Sequence, residues 1–192
     1  MNTKFEIKKI TEIVKYLLSR NEGVMNYTKL IKLLYLADKE SLRVNDVSVS
    51  GDAFYSMKNG PILSGVKDLI DNKYSFVADQ DTWVKSFEKR GYDLILVDKE
   101  KSNYEELSDF EIELLDKIDN EFKDKDYGYM IEYTHDKQKF PEVQWQEAEK
   151  LGTSIPISIE SVLKSLNKTD EEITGIIAEV DSLKKEHNKL KS

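Results

Sequence analysis

The sequence predicts an α+β fold that is mainly helical: a helical domain carrying one small β-hairpin, followed by a C-terminal amphipathic helix. Three observations carry this. Apolar residues recur at steps of three and four over most of the chain. One stretch, from Trp83 to Val97, has apolar ends around a turn, as paired strands do. The segment from Thr169 to Ser192 keeps an apolar seam at heptad spacing. With 192 residues, of which 39% are apolar and 34% charged, the chain can bury one core and add an appendage. The expected division is a domain over residues 1–165 and a heptad helix over 166–192.

The elements follow in order. Ile10, Ile13, Val14, Leu17 and Leu18 share one face of a helix from about Phe5 to Arg20, which Asn21-Glu22-Gly23 stops. In MNYTKLIKLLYLADKESLR, the stripe of Leu30, Ile31, Leu34 and Tyr35, widened by Leu33 and Ala37, predicts a second helix buried on most sides. The β-branched and aromatic residues of VSVSGDAFYSM, from Val47 to Met57, predict a strand or extended piece. Gly60-Pro61 reads as a helix start, with Gly60 as cap and Pro61 in the first turn, where its missing N–H is harmless. Ile62, Val66, Leu69 and Ile70 would continue that helix to Asn72. A hairpin is expected with Trp83 and Phe87 on one strand, a turn at Lys89 to Gly91, and Leu94 to Val97 on the other. Ser108 and Glu111 form a capping box before a helix bearing Ile112, Leu115, Ile118 and Phe122. YGYMIEYTH then gives a short helix, and DKQKFPEVQW a loop around Pro141. Beyond Pro156, Ile159, Val162 and Leu166 share the frame of Ile173, Ile176, Val180, Leu183, His187 and Leu190. The frame fits one continuous helix or a break near Asn167, and Thr169 with Glu172 offers a capping box after such a break.

The chemistry narrows the function classes. A net charge of −8 opposes general attraction to nucleic-acid phosphates or an anionic membrane surface, so a protein partner is favoured. The absence of cysteine removes disulfides, thiolate zinc sites and cysteine nucleophiles, and fits a reducing cytoplasm. Charges interrupt the N-terminal apolar residues, and no run of about 18 apolar residues exists, so neither a signal peptide nor a membrane span is expected. Glu132 and His135 share a helical face, but a carboxylate-bridged di-metal site needs a second such pair, so no metal or cofactor is expected. No Gly-x-Ser-x-Gly elbow occurs, and none of the 37 acidic residues is marked as a catalytic pair, so no enzyme is expected. KNGPILSGV lacks the Walker lysine-serine pair and the three-glycine fingerprint, and Pro61 removes a donor that an anion cradle would use. Helix, helix, extended piece, helix and hairpin is a winged-helix-like order, with Lys85, Lys89 and Arg90 near the hairpin turn. However, Asp68 and Asp71 beside Lys67 and Lys73 weaken a nucleic-acid reading.

Four stretches, in this order, resemble the Panacea domain of SocA-like antitoxins: YTKLIKLLYLAD from Tyr27, FYSMKNGPI from Phe54, LSDFEIELLDKI from Leu107, and YTHDKQKFPEVQW from Tyr133. The resemblance covers roughly residues 5–165 and implies the antitoxin of a bacterial or phage-borne toxin–antitoxin system. Its partner would be a cognate protein toxin neutralised by direct binding; some family members instead deliver the toxin to a protease. The resemblance implies that the motif residues Lys29, Leu33, Leu34, Tyr35, Gly60, Pro61, His135 and Trp145 hold the common fold. The tail from Thr169 lies beyond the shared domain. Its seam residues Ile173, Ile176, Val180, Leu183 and Leu190 are the expected contacts, gripping the toxin or pairing two copies, unless the tail packs back onto its own domain.

Overall fold

A computed structural model of the chain describes residues 4–73, 80–98 and 103–190, with side chains through Ser182. The described elements are α1 (Ile7–Ser19), β1 (Val24–Asn26), α2 (Tyr27–Asn45), β2 (Phe54–Met57), β3 (Gly60–Leu63), α3 (Ser64–Ile70), α4 (Gln80–Ser86), β4 (Phe87–Arg90) and β5 (Asp93–Leu96). They continue as α5 (Asp109–Phe122), α6 (Tyr127–His135), α7 (Trp145–Leu151), β6 (Ile155–Ile157), α8 (Ile159–Ser165) and α9 (Asp170–Leu190).

Helix α2 is the axis of the molecule. The Asn26 side chain starts it by accepting from the Thr28 N–H at 2.9 Å and from the Lys29 N–H, two donors that a helix start leaves without partners. Thirteen of its 19 residues are buried, because helices or strands pack against it on several sides. Its Leu30, Leu33, Leu34 and Tyr35 share one core with Ile10, Ile13, Val14, Leu17 and Leu18 of α1 and with Leu115, Ile118 and Phe122 of α5. The Ser108–Glu111 capping box that opens α5 has both of its reciprocal hydrogen bonds.

Two antiparallel sheets of three strands, ordered β1-β5-β4 and β3-β2-β6, flank α2. The expected hairpin is present, with Phe87 opposite Leu96 and Arg90 opposite Asp93. Its first strand begins only at Phe87. Trp83 belongs to α4, from which its ring packs on Phe87 with centroids 4.5 Å apart. The hairpin also acquires β1, whose Met25 lies opposite Leu94, whereas β2, the extended piece of the winged-helix-like order, pairs with β3 and β6 in the other sheet.

The Gly60-Pro61 reading requires correction. These residues lie in β3, with Gly60 opposite Met57 and Pro61 opposite Ser56. β3 is a sheet edge, the position in a sheet that tolerates a residue without an N–H. Gly60 adopts φ +90°, a value that glycine reaches without strain, as the chain leaves the Lys58-Asn59 turn. The helix starts later, at Ser64, because the Asp52 carboxylate accepts from the N–H groups of Gly65 and Val66 at 2.9 Å each. A carboxylate 13 residues away thus does what a local cap would do.

The chain does break near Asn167, which takes φ +60° between α8 and α9. The capping box beyond the break forms: Glu172 accepts from the Thr169 N–H at 2.7 Å, and the Glu172 N–H returns to Thr169 Oγ1 at 3.2 Å.

Candidate functional site

The family-like motifs meet at the turn between β2 and β3. Lys32, one turn into α2 and only 1% exposed, donates from Nζ to the Pro61 carbonyl at 2.6 Å. Gly60 lies directly against this lysine and against α6. A Cβ there would stand 2.7 Å from Thr134 Oγ1 and 3.1 Å from Lys32 Nζ, so close approach as well as φ demands glycine. The Thr134 hydroxyl donates to the Met130 carbonyl at 2.9 Å and so turns inward. His135 stacks flat on Trp145, with ring centroids 4.0 Å apart and planes 8° apart, and the Trp145 indole N–H donates to the His135 carbonyl.

This packing has electrostatic consequences. Burial pulls Lys32 down to about 7, and among the described residues no carboxylate opposes the shift. His135 is lowered too, mainly by burial, with the Lys32 charge adding to it. Glu132 is exposed while His135 is committed to Trp145, so the Glu-x-x-His pair does not converge on a common point.

The other motif residues tie α2 to its surroundings. Lys29 Nζ donates to the Lys123 carbonyl at 3.0 Å beyond the end of α5, and Leu33 and Leu34 fill the core. The Tyr35 hydroxyl donates to Glu142 Oε1 at 2.5 Å, and Lys39 reaches the same oxygen at 2.6 Å. Burial and this carboxylate together raise Tyr35 well above the usual tyrosine range. Asp38 accepts from the N–H groups of Val49 and Ser50 and from the Ser50 hydroxyl, pinning the loop that precedes β2. The sequence reading missed Lys32, Asp38 and Glu142. For the two α2 residues the available signal was a charged side chain within a helix predicted to be buried on most sides. Glu142 carried no local signal, since only the fold brings it under Tyr35.

The expected toxin contacts divide. Ile173 and Ile176 are 4% and 8% exposed and belong to the chain's own core, so their assignment as partner contacts is corrected: the first turns of α9 pack back onto the domain. The Asn167 turn redirects the chain, and an ion pair from Lys168 to Asp46 at the end of α2 anchors it. Val180 is half-buried and, with Leu42, Tyr55, Pro156 and Ile159, lines an apolar groove of about 280 Å³. Leu183 and Leu190 follow on the same helix, but their side chains lie outside the described residues.

The cations expected to suit nucleic acid are largely neutralised. Asp71 pairs with Lys67 and with Lys89 at 2.7 Å, and Arg90 pairs with Glu88 at 2.7 Å. Such pairing weakens the field that a phosphate backbone would meet. No helix among the described residues is long and apolar enough to cross a membrane.

In a comparison with known families, the model described as "Antitoxin SocA-like, Panacea domain" fits residues 30–140. No curated protein and no solved structure matches. The matched span contains Lys32, Gly60, Pro61, Thr134 and His135, the residues that meet at the β2–β3 turn.

Proposed function

Because the chain belongs to the Panacea-domain family of SocA-like antitoxins, we propose that it neutralises a protein toxin by binding it directly, without catalysis. The family match over residues 30–140 is the observation that supports this reading. Lys32 and the motif residues Tyr35, Gly60 and Pro61 within that span are committed to internal contacts: Lys32 to Pro61, Gly60 to Thr134, and Tyr35 to Glu142. They build the scaffold, and toxin recognition falls to the surface that the scaffold displays.

The surface that best fits this role runs from the groove lined by Tyr55, Pro156 and Val180 along the distal part of α9. Its seam continues at heptad spacing through Leu183 and Leu190 after Ile173 and Ile176 have been used by the core. An isolated helix of this length is marginal in water, whereas one anchored at its base can extend an apolar stripe to a partner. A stable complex needs roughly 800 Å² buried on each partner, more than the groove alone offers, so the helix and the groove would act together to cover the toxin.

Expressing the protein encoded beside this one, with and without this chain, tests the proposal. Growth arrest relieved by this chain, with co-purification of the two proteins, is the expected result. Arrest that persists while both proteins are soluble would refute it. Relief that requires a protease and shortens the partner's lifetime would reassign the chain as an adaptor.

A further inference from the structure

A cleft of about 160 Å³ lies between the start of α2 and the β2–β3 turn. Its polar wall includes Thr28, Lys32, Lys58, Asn59 and Lys67, and among the described residues no aspartate or glutamate lines it. That is unusual in a chain with 37 acidic residues and a net charge of −8. Lys67 is already paired with Asp71, which leaves Lys32 and Lys58 without a carboxylate partner among the described residues.

Lys32 differs from the other buried lysines of α2. Lys39 is bound to Glu142, and Lys29 lies in the field of Asp119, Asp124 and Asp126. Lys32 is the most deeply buried of the three and, among the described residues, has only the Pro61 carbonyl as acceptor. An ammonium has three N–H donors, and a buried charge without a counter-charge is costly, so such a site is retained at the expense of stability. The rim supplies further neutral donors in the Thr28 hydroxyl and the Asn59 amide, and its apolar floor includes Ile31 and Ile62. A small, partly apolar cleft with a few converging donors is the usual form of a site for one small group.

We propose that this cleft binds an oxyanion group, a carboxylate or phosphate, with Lys32 and Lys58 as its counter-charges. Tyr27 and Tyr92 stand at the mouth. Tyr92 is 72% exposed, while Lys89 lies over Tyr27 with Nζ 4.7 Å from the ring centroid. With that face occupied, the opening suits a single anionic group better than an extended ring system. The group can belong to an acidic residue of a protein partner, a source that rests on the antitoxin reading, or to a free anion.

Titrating the full chain with inorganic phosphate, and separately with acetate, at constant ionic strength tests the site through the backbone amide shifts of Lys58 and Asn59. Saturable shifts are expected, weakened at least tenfold in Lys32→Met and several-fold in Lys58→Gln, but unchanged in Lys150→Gln at an exposed position of α7. Circular dichroism checks that each variant is folded, and Lys58→Gln carries the test if Lys32→Met is not. Shifts that chloride reproduces, or that are equal in all four proteins, would overturn the proposal. The co-purified partner then distinguishes the sources. If phosphate competes with it and Lys58→Gln weakens the complex, the group is the partner's carboxylate. If the complex is indifferent to both, the group is a free anion. Loss of toxin neutralisation with intact anion binding would remove the antitoxin reading and leave the site standing.

Discussion

Replacing Lys32 by methionine should stabilise the protein at neutral pH and abolish part of its pH dependence. The gap between the ordinary lysine value of 10.5 and the value of about 7 in the folded chain corresponds to about 5 kcal/mol, an upper figure for the cost of holding this ammonium in the core. Methionine nearly matches the volume and removes the charge, but it leaves the Pro61 carbonyl without its donor at a cost of about 1–3 kcal/mol. The net expectation at pH 7 is a gain of about 2 kcal/mol, or about 4–8 °C in Tm for a chain of this size. The pH dependence is more diagnostic. A lysine whose folded value is lowered imposes its full penalty below about pH 7, and the penalty disappears as pH rises toward 10.5, because over that window the unfolded chain holds a proton that the folded chain has released. Wild type should therefore gain about 4 kcal/mol on the variant between pH 7 and 10, and the order of stabilities should reverse. Other lysines and tyrosines titrate in both proteins and largely cancel in the difference, and above pH 7 His135, already lowered, stays neutral. Urea unfolding followed by the fluorescence of Trp83 and Trp145 at pH 7, 8, 9 and 10 provides the measurement. A stability difference that does not change with pH would refute the assignment of Lys32 as a buried, uncompensated cation.

Gly60→Ala should lose about 2–4 kcal/mol in urea unfolding, from the strained positive φ and from the contact that a Cβ would make with Thr134 Oγ1. Ending the chain at Ser182 should leave Tm within a few degrees of wild type while weakening partner binding. Ending it at Lys168 should cost about 3–6 kcal/mol, because Ile173 and Ile176 leave the core; equal Tm losses in the two truncations would contradict a core that ends with the first turns of α9. Glu142→Gln should cost about 3 kcal/mol by leaving the Lys39 ammonium without its counter-charge, and a double-mutant cycle with Lys39→Met should recover much of that loss. Additive effects would show that the two residues do not interact.

What could be read from the chain alone was what short-range spacing encodes. The apolar steps of α1, α2 and α5, the capping boxes at Ser108 and Thr169, and the Phe87–Leu96 hairpin all rest on contacts between residues three or four apart or across one turn, so local sequence carries them. The four motifs in order also pointed to the family that the match over residues 30–140 establishes. Tertiary structure decided the rest, because those features depend on partners far along the chain. β1 and β6 have three residues each and exist as strands only through pairing with β5 and β2. Pro61 fits a helix start as well as a sheet edge, and the choice fell to β2 on one side and to Asp52, which caps the later helix, on the other. The heptad seam showed that α9 needs an apolar partner but could not say which one. The turn at Asn167 and the Lys168–Asp46 pair direct its first residues into their own core. Lys32 shows the same limit most sharply: its position on a buried helix was visible, but only the fold brings Gly60, Pro61, Thr134 and His135 around it and leaves a cleft without a carboxylate beside it.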